Sequence, residues 1–311
     1  MPGSRRTGGN PVTAIGIIGA GAVGQGVGTL LVQAGWCDTV MVSSLHGHSA
    51  DGLVADLEDM SLVSASHVRA CRADLARMKS CDAIVLCPRA AFTNDHTADI
   101  RMAGLTANGF TIRHLAQELA GFTGPVVVVT NPVDVMTRLY AEASGSTRVW
   151  GIGSSTDTAR YRFILARRMG VPTQAVRGHV IGEHGDLAVI CASSTTVNGR
   201  AARIPVQAIR AEMAARPGRI AAGIGRVRSG PAAATVSALT RVLGVTDGLV
   251  ELSASRKGTY LGMPLHFSSG HPTVCLPRLD AEEERDLAAA EAKLQAVYHQ
   301  LCFTLKEMSF S

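Results

Sequence analysis

The chain has 311 residues, 30 basic and 25 acidic, for a formal charge of +5, with 46% apolar and 4% aromatic residues. That length carries two lobes with ample core, and no apolar run approaches the ~20 residues of a membrane span. The mild charge, scattered arginines and few aromatics exclude a stacking surface for nucleic acid, and leave an anionic small molecule as the expected partner.

Met1 to Asn10 is short, basic and glycine-rich. It lacks the apolar core of an export signal, so it reads as a disordered lead-in to a cytoplasmic chain. Val12 to Ile18 reads as a buried strand that runs into Gly19-Ala20-Gly21-Ala22-Val23-Gly24 and then a helix from Val23 to Ala34. The three glycines fit G-x-G-x-x-G between strand and helix. Gly19 allows the tight turn, Gly21 lets a pyrophosphate approach the backbone, and Gly24 lets the helix pack close to the strand. The helix start, through Ala22 and Val23, offers unpaired N–H groups and a positive dipole end to the phosphates. A bare structural turn is the alternative, and the strand–turn–helix context favours dinucleotide binding.

Strands and helices then alternate. Thr39 to Ser43 is the second strand, Ala50 to Met60 a helix, and His67 to Cys71 a short strand. Ala83 to Cys87 is the fourth strand, followed by a loop over 88–99 and a helix from Ile100 to Leu119. Val126 to Thr130 is the fifth strand, Val133 to Ala143 a helix, and Val149 to Ile152 closes the series. This rhythm predicts a doubly wound parallel α/β sheet of Rossmann type over residues 1–152, with ligand at the carboxyl ends of its strands.

From 153 to 311 the texture is α+β, and this half is expected to supply most of the substrate site. Thr156 to Met169 is a helix; Ala175 to Ile181 and Leu187 to Thr196 read as antiparallel strands. Helices follow near 205–228 and 231–243, then strands Val245 to Leu252, Thr259 to Phe267 and Thr273 to Leu276, and a last helix from Ala281 to Leu305. Asp280 is placed to cap that helix, with Glu283 at capping-box spacing. The seven cysteines are odd in number and lack C-x-x-C spacing, so neither a metal site nor a disulfide framework is indicated.

Four constellations follow the glycine turn in order: Arg101 at the foot of loop 88–101, Thr130-Asn131-Pro132-Val133-Asp134, Asp157-Thr158-Ala159-Arg160, and Gly182-Glu183-His184-Gly185-Asp186. With GAGAVG at 19–24, these runs resemble the L-lactate/malate dehydrogenase family from about Thr13 to about Ala296. The resemblance implies a nicotinamide cofactor and reversible hydride transfer between a 2-oxo acid and an (S)-2-hydroxy acid. It makes His184 the proton donor and acceptor, a role that suits an imidazole near neutrality, and Asp157 the partner that fixes its tautomer. Arg160 would take the substrate carboxylate through two parallel hydrogen bonds, and its offset of three from Asp157 puts both on one helix face. Arg101 matches the family's mobile-loop arginine, which polarises the carbonyl, and Asn131 would hydrogen-bond near the nicotinamide and the reacting oxygen.

The chain departs from the family in three places. The acid that should take the adenosine ribose hydroxyls, about 20 residues after the last glycine, is replaced by Ser44, with Ser43 before it and His46 and His48 after it. Losing that carboxylate favours NADP(H), whose 2′-phosphate the hydroxyls and imidazoles could hold; NAD(H) stays open. The loop Cys87 to Arg101 carries Arg89 where a small residue is usual, and has neither a glutamine nor an arginine near Asp95 and His96 to mark a lactate or malate enzyme. Pro231-Ala232 stands where lactate enzymes carry threonine, and a small side chain there leaves room beside the carbonyl. These departures point to a substrate other than pyruvate or oxaloacetate, with a polar or cationic end facing Asp95 or Asp99. The alternatives are an imine reductase using the same His184/Asp157 pair, and a non-catalytic nucleotide-binding paralogue. By family analogy the assembly is a homodimer or homotetramer.

Overall fold

The computed structural model describes residues 14–91, 102 and 104–307. Six short strands form the parallel part of an eleven-stranded sheet: β1 (Ala14–Ile18), β2 (Thr39–Ser43), β3 (Arg69–Arg72), β4 (Ala83–Leu86), β5 (Val126–Val128) and β6 (Val149–Gly151), in the order β3-β2-β1-β4-β5-β6. The helices between them are α1 (Ala22–Val32), α2 (Gly47–Val63), the single turn α3 (Leu75–Met78), α4 (Leu105–Glu118) and α5 (Val133–Ser144). Every residue of β1, β4, β5 and β6 is buried. Strands covered on both faces are continuous apolar runs, which is why they were legible as such.

The second half begins with α6 (Ser154–Met169) and the short strands β7 (Val176–Arg177), β8 (Val180–Gly182), β9 (Ala188–Ile190), β10 (Thr196–Val197) and β11 (Arg200–Ala201). It continues with α7 (Val206–Ile224), α8 (Ser229–Val242), β12 (Gly248–Arg256), β13 (Thr259–Ser268), β14 (His271–Val274) and α9 (Ala281–Glu307). The large sheet runs on, now antiparallel, through β12-β13-β8-β9, with β14 on β13, while β7, β10 and β11 form a separate three-stranded sheet. Across residue 152 the sheet is joined where Ser253 of β12 pairs with Gly151 of β6, and α8 packs on α1 and α9 on α4. Within the second half, Gly262 of β13 pairs with Gly182 of β8. A Cβ on Gly262 would fall on the Ser154 hydroxyl, and one on Gly151 would collide with the Thr137 hydroxyl.

Several sequence boundaries are corrected. The strand expected over Ala175–Ile181 is broken at Gly178, where a Cβ would collide with the Thr195 hydroxyl and lie 2.8 Å from the Tyr161 ring. The strand expected over Leu187–Thr196 is two strands in different sheets. The one expected over Val245–Leu252 lies later, at Gly248–Arg256, because the Lys257-Gly258 turn, with both φ positive, closes a hairpin that draws Ser253 and Ser255 into the ladder. The expected cap of α9 is present. Asp280 Oδ1 accepts from the Glu282 and Glu283 N–H groups at 3.0 Å, and Glu283 Oε2 accepts from the Asp280 N–H at 3.1 Å.

Candidate active site

β1 has β2 on one side and β4 on the other, so the chain reverses direction of travel across the sheet at β1. Ligands of doubly wound sheets sit at that crevice, and the glycine turn lies in it. Gly19 has φ +117°, and a Cβ there would stand 2.7 Å from the Cys87 carbonyl and the Pro88 nitrogen. A Cβ on Gly24 would collide with the Gly19 carbonyl, whereas one on Gly21 would meet nothing within 4 Å. Gly21 is therefore the face left open, at the start of α1, and no side chain caps that helix. Ala22 and Val23 form its first turn. The turn is held from two sides: the Gly19 N–H donates to the Ser43 carbonyl at 2.8 Å, and the Cys87 thiol donates to the Gly19 carbonyl at 3.2 Å. Burial pushes that thiol up to about 12, so it stays a neutral donor.

A continuous set of contacts leads from the turn to His184 and Asp157. Pro88 touches the turn, and its carbonyl accepts from the Thr130 hydroxyl at 2.6 Å. Asn108 of α4 ties the same loop to the next: its Oδ1 accepts from the Ala90 N–H at 2.9 Å and its Nδ2 donates to the Asn131 carbonyl at 2.8 Å. Asn131 Oδ1 is buried without a hydrogen-bond partner among the described residues. Three residues on, Asp134 in the first turn of α5 accepts from the His184 backbone N–H at 2.7 Å. His184 Nδ1 lies 2.5 Å from Asp157 Oδ2, and Arg160 Nη1 donates to Asp157 Oδ1 at 3.2 Å. Asp157 is only 4% exposed.

An ionised carboxylate only accepts, so Nδ1 of His184 carries the hydrogen and Nε2 is left to exchange a proton. Glu183 has a different task. It is buried, accepts from the Leu187 N–H at 3.0 Å and lies 2.7 Å from Lys293 Nζ, so it anchors the loop that presents His184. The orphaned Asn131 oxygen, the open Gly21 and the uncapped α1 terminus fit a bound dinucleotide.

Two residues that shape this site had no role in the sequence reading. Asp134 was visible only as part of the 130–134 run. Burial pushes its carboxyl up to about 6, while the Ser253 hydroxyl and the His184 N–H hold it from rising further. A raised folded pKa means that the stabilising share is complete below the unfolded value, 3.8, and is lost as pH rises through about 6. Relative to Asp134→Asn, the wild type is therefore expected to lose about 2–3 kcal/mol between pH 4 and pH 6.5 and nothing further above it. Urea unfolding of both proteins across that range measures this; a constant difference would refute it.

Gly153 is the second. A Cβ there would stand 2.6 Å from His184 Cβ and Cγ and 3.1 Å from Nδ1. Gly153→Ala is expected to push the ring off Asp157 and lower kcat about 100-fold, since a displacement near 1 Å has that cost. Nucleotide affinity, measured on the same sample, should hold. The signal available in the sequence was a glycine placed just before the D-x-x-R helix.

Other expected residues fall elsewhere. Arg101, with Asp95, His96 and Asp99, lies outside the described residues, and Arg89 is exposed. Ala232 is fully buried and faces α1, where a Cβ on Gly26 would stand 2.9 Å from its methyl group. Its small size serves helix packing, which corrects the expectation that it leaves room beside the substrate. Ser43 and Ser44 are half-buried at the end of β2.

A glycine turn at the switch point, joined by a few contacts to a buried His–Asp–Arg cluster, defines a Rossmann-type protein. A family profile for the lactate/malate dehydrogenase NAD-binding domain matches residues 13–152. The L-lactate dehydrogenase of Lactobacillus delbrueckii subsp. bulgaricus is 30% identical over 256 residues, 78% of this chain and 82% of that protein. The L-lactate dehydrogenase of Treponema denticola is 33% identical over 189 residues, and there the match spans 59% of this chain and 58% of the relative's length. The chain belongs to the lactate/malate dehydrogenase family. A malate dehydrogenase structure from Cryptosporidium parvum superposes with a TM-score of 0.83 at 23% identity, covering 93% of this chain and 98% of that one, a likeness of fold.

Proposed function

We propose that the protein is an NAD(P)-dependent oxidoreductase that moves a hydride between nicotinamide and a 2-oxo acid/(S)-2-hydroxy acid pair. The observation that carries this reading is the 2.5 Å contact of His184 Nδ1 with Asp157, in a cluster shared with Arg160. A bound reduced nicotinamide supplies the hydride that reaches the substrate's C2 carbon. His184 Nε2 gives the proton to the oxygen, and the buried Asp157 carboxylate holds Nδ1–H and stabilises the imidazolium before and the imidazole after the transfer. Arg160 receives the substrate carboxylate and so presents C2 in one orientation. Arg101 would polarise the carbonyl, and Asn131 would hydrogen-bond near the nicotinamide and the reacting oxygen. On this reading the residues up to 152 hold the dinucleotide and residues 153–311 the substrate.

The cofactor we favour is NADP(H), because β2 ends in Ser43 and continues into Ser44 where an acid would repel a 2′-phosphate. The substrate we favour is neither pyruvate nor oxaloacetate, because loop 88–101 carries neither a glutamine nor an arginine near Asp95 and His96 to mark them. Steady-state rates on a panel of 2-oxo acids and imines with NADPH test this. Highest kcat/KM for pyruvate or oxaloacetate would refute the substrate, an imine maximum would establish the imine reductase alternative, and nucleotide binding without any turnover would favour the non-catalytic one. A homodimer or homotetramer in the cytoplasm belongs to the same reading. No helix among the described residues is long and apolar enough to cross a membrane.

A further inference from the structure

We propose that Arg72 is the residue that selects NADP(H), by taking the 2′-phosphate of the adenosine ribose at the mouth of the β2–α2 turn. The assignment rests on the cofactor reading above and adds to it a residue from a different strand. β2 and β3 run parallel with Val42 opposite Arg72, and the Ala73 N–H donates to the Val42 carbonyl at 3.0 Å. The backbone of Arg72 therefore sits beside the last residues of β2, and Ser43 and Ser44 are the next along the chain. Ser43 is in turn bonded to the glycine turn through the Gly19 N–H. One end of β2 thus joins the pyrophosphate turn, the two serines and Arg72.

The guanidinium is aimed back over this turn. A Cβ on Gly47 would stand 3.0 Å from Arg72 Nη2 and 3.3 Å from Nη1, so the guanidinium rests directly against the first residue of α2. Its position is set by Asp51, one turn further into α2, whose two carboxylate oxygens accept from Nη1 at 3.2 and 3.1 Å. The first turn of α2 contains no acidic residue, and no side chain caps it. The positive dipole end of α2 and the guanidinium both favour an anion beside the two serines. A ribose bearing a free 2′-hydroxyl gains little from an arginine, whereas a 2′-phosphate gains a charge-assisted, forked contact. Asp51 plays two parts: it holds Arg72 over the turn and competes with the phosphate for it.

The experiment is a titration of the full-length protein with NADPH and NADH followed by nucleotide fluorescence, with 2′,5′-ADP and 5′-AMP as competing probes. Wild type should prefer NADPH to NADH and 2′,5′-ADP to 5′-AMP. Arg72→Ala should weaken NADPH and 2′,5′-ADP about tenfold or more while leaving NADH and 5′-AMP within about twofold. Arg72→Lys, which keeps the charge and loses the fork, should fall between. Asp51→Asn should tighten NADPH about threefold by removing the competitor. NADH affinity reports whether each variant is folded. A wild type that prefers NADPH with an Arg72→Ala variant of unchanged preference would overturn the Arg72 assignment alone. A wild type that prefers NADH, or binds neither nucleotide, would overturn the cofactor reading and this assignment with it.

Discussion

His184→Gln should lower turnover by about 10³- to 10⁴-fold and leave nucleotide affinity unchanged. Glutamine fills a similar volume and still hydrogen-bonds, but it cannot give up a proton near neutrality. Nothing else in the described site can replace it. Glu183 is committed to Lys293 and the Leu187 N–H, and Asp134 accepts from the backbone of residue 184. Asp157→Asn should cost nearly as much for a different reason. An amide can present its NH₂ to Nδ1, which stabilises the tautomer with hydrogen on Nε2 and leaves nothing to stabilise the imidazolium. Single-turnover rates with saturating nucleotide, set beside fluorescence titrations, separate the two quantities. Retention of more than a tenth of the rate in either variant would remove the pair from the mechanism.

Arg160→Ala should lower kcat/KM for 2-oxo acids by about 10²- to 10³-fold, with most of the loss in KM. Two charge-assisted hydrogen bonds to a carboxylate are together worth about 3–5 kcal/mol. The side chain is already ordered, because Asp157 Oδ1 holds Nη1 at 3.2 Å and leaves the guanidinium only 12% exposed. Little entropy is therefore lost when substrate arrives. The sharper readout is selectivity. Wild type should prefer a 2-oxo acid over its neutral 2-oxo amide, and Arg160→Ala should abolish that preference while His184 still transfers its proton. An unchanged acid-to-amide ratio would mean that the carboxylate binds elsewhere, and Arg160 would then serve only to position Asp157.

The parts of the molecule that were legible in the sequence share one property: their chemistry is local. The strands β1, β4 and β5 are apolar because both faces are covered, and the turn at 19–24 is glycine-rich because a backbone must bend and a helix must approach within one turn. The same holds for Asp280 and Glu283, which satisfy each other's N–H groups within four residues. Where short strands meet distant partners, legibility failed. β8 and β9 belong to the large sheet and β10 to the small one, and only the pairing of Gly262 with Gly182 and of Thr196 with Arg177 decides this.

The active site divides the same way. The sequence alone determined which residues could do acid–base and carboxylate chemistry, His184, Asp157 and Arg160, because residue type and helical spacing are written along the chain. It also determined that an acid is missing after β2. Only the tertiary structure decided that Gly153 leaves room for the imidazole, that Asp134 braces its backbone from another helix, that Ala232 serves α1, and that Arg72 reaches over Gly47 beside the serines. The physical reason is distance along the chain. These contacts join residues tens of positions apart, through side-chain volume and direction rather than residue type, and neither quantity has a period or a motif from which to be read.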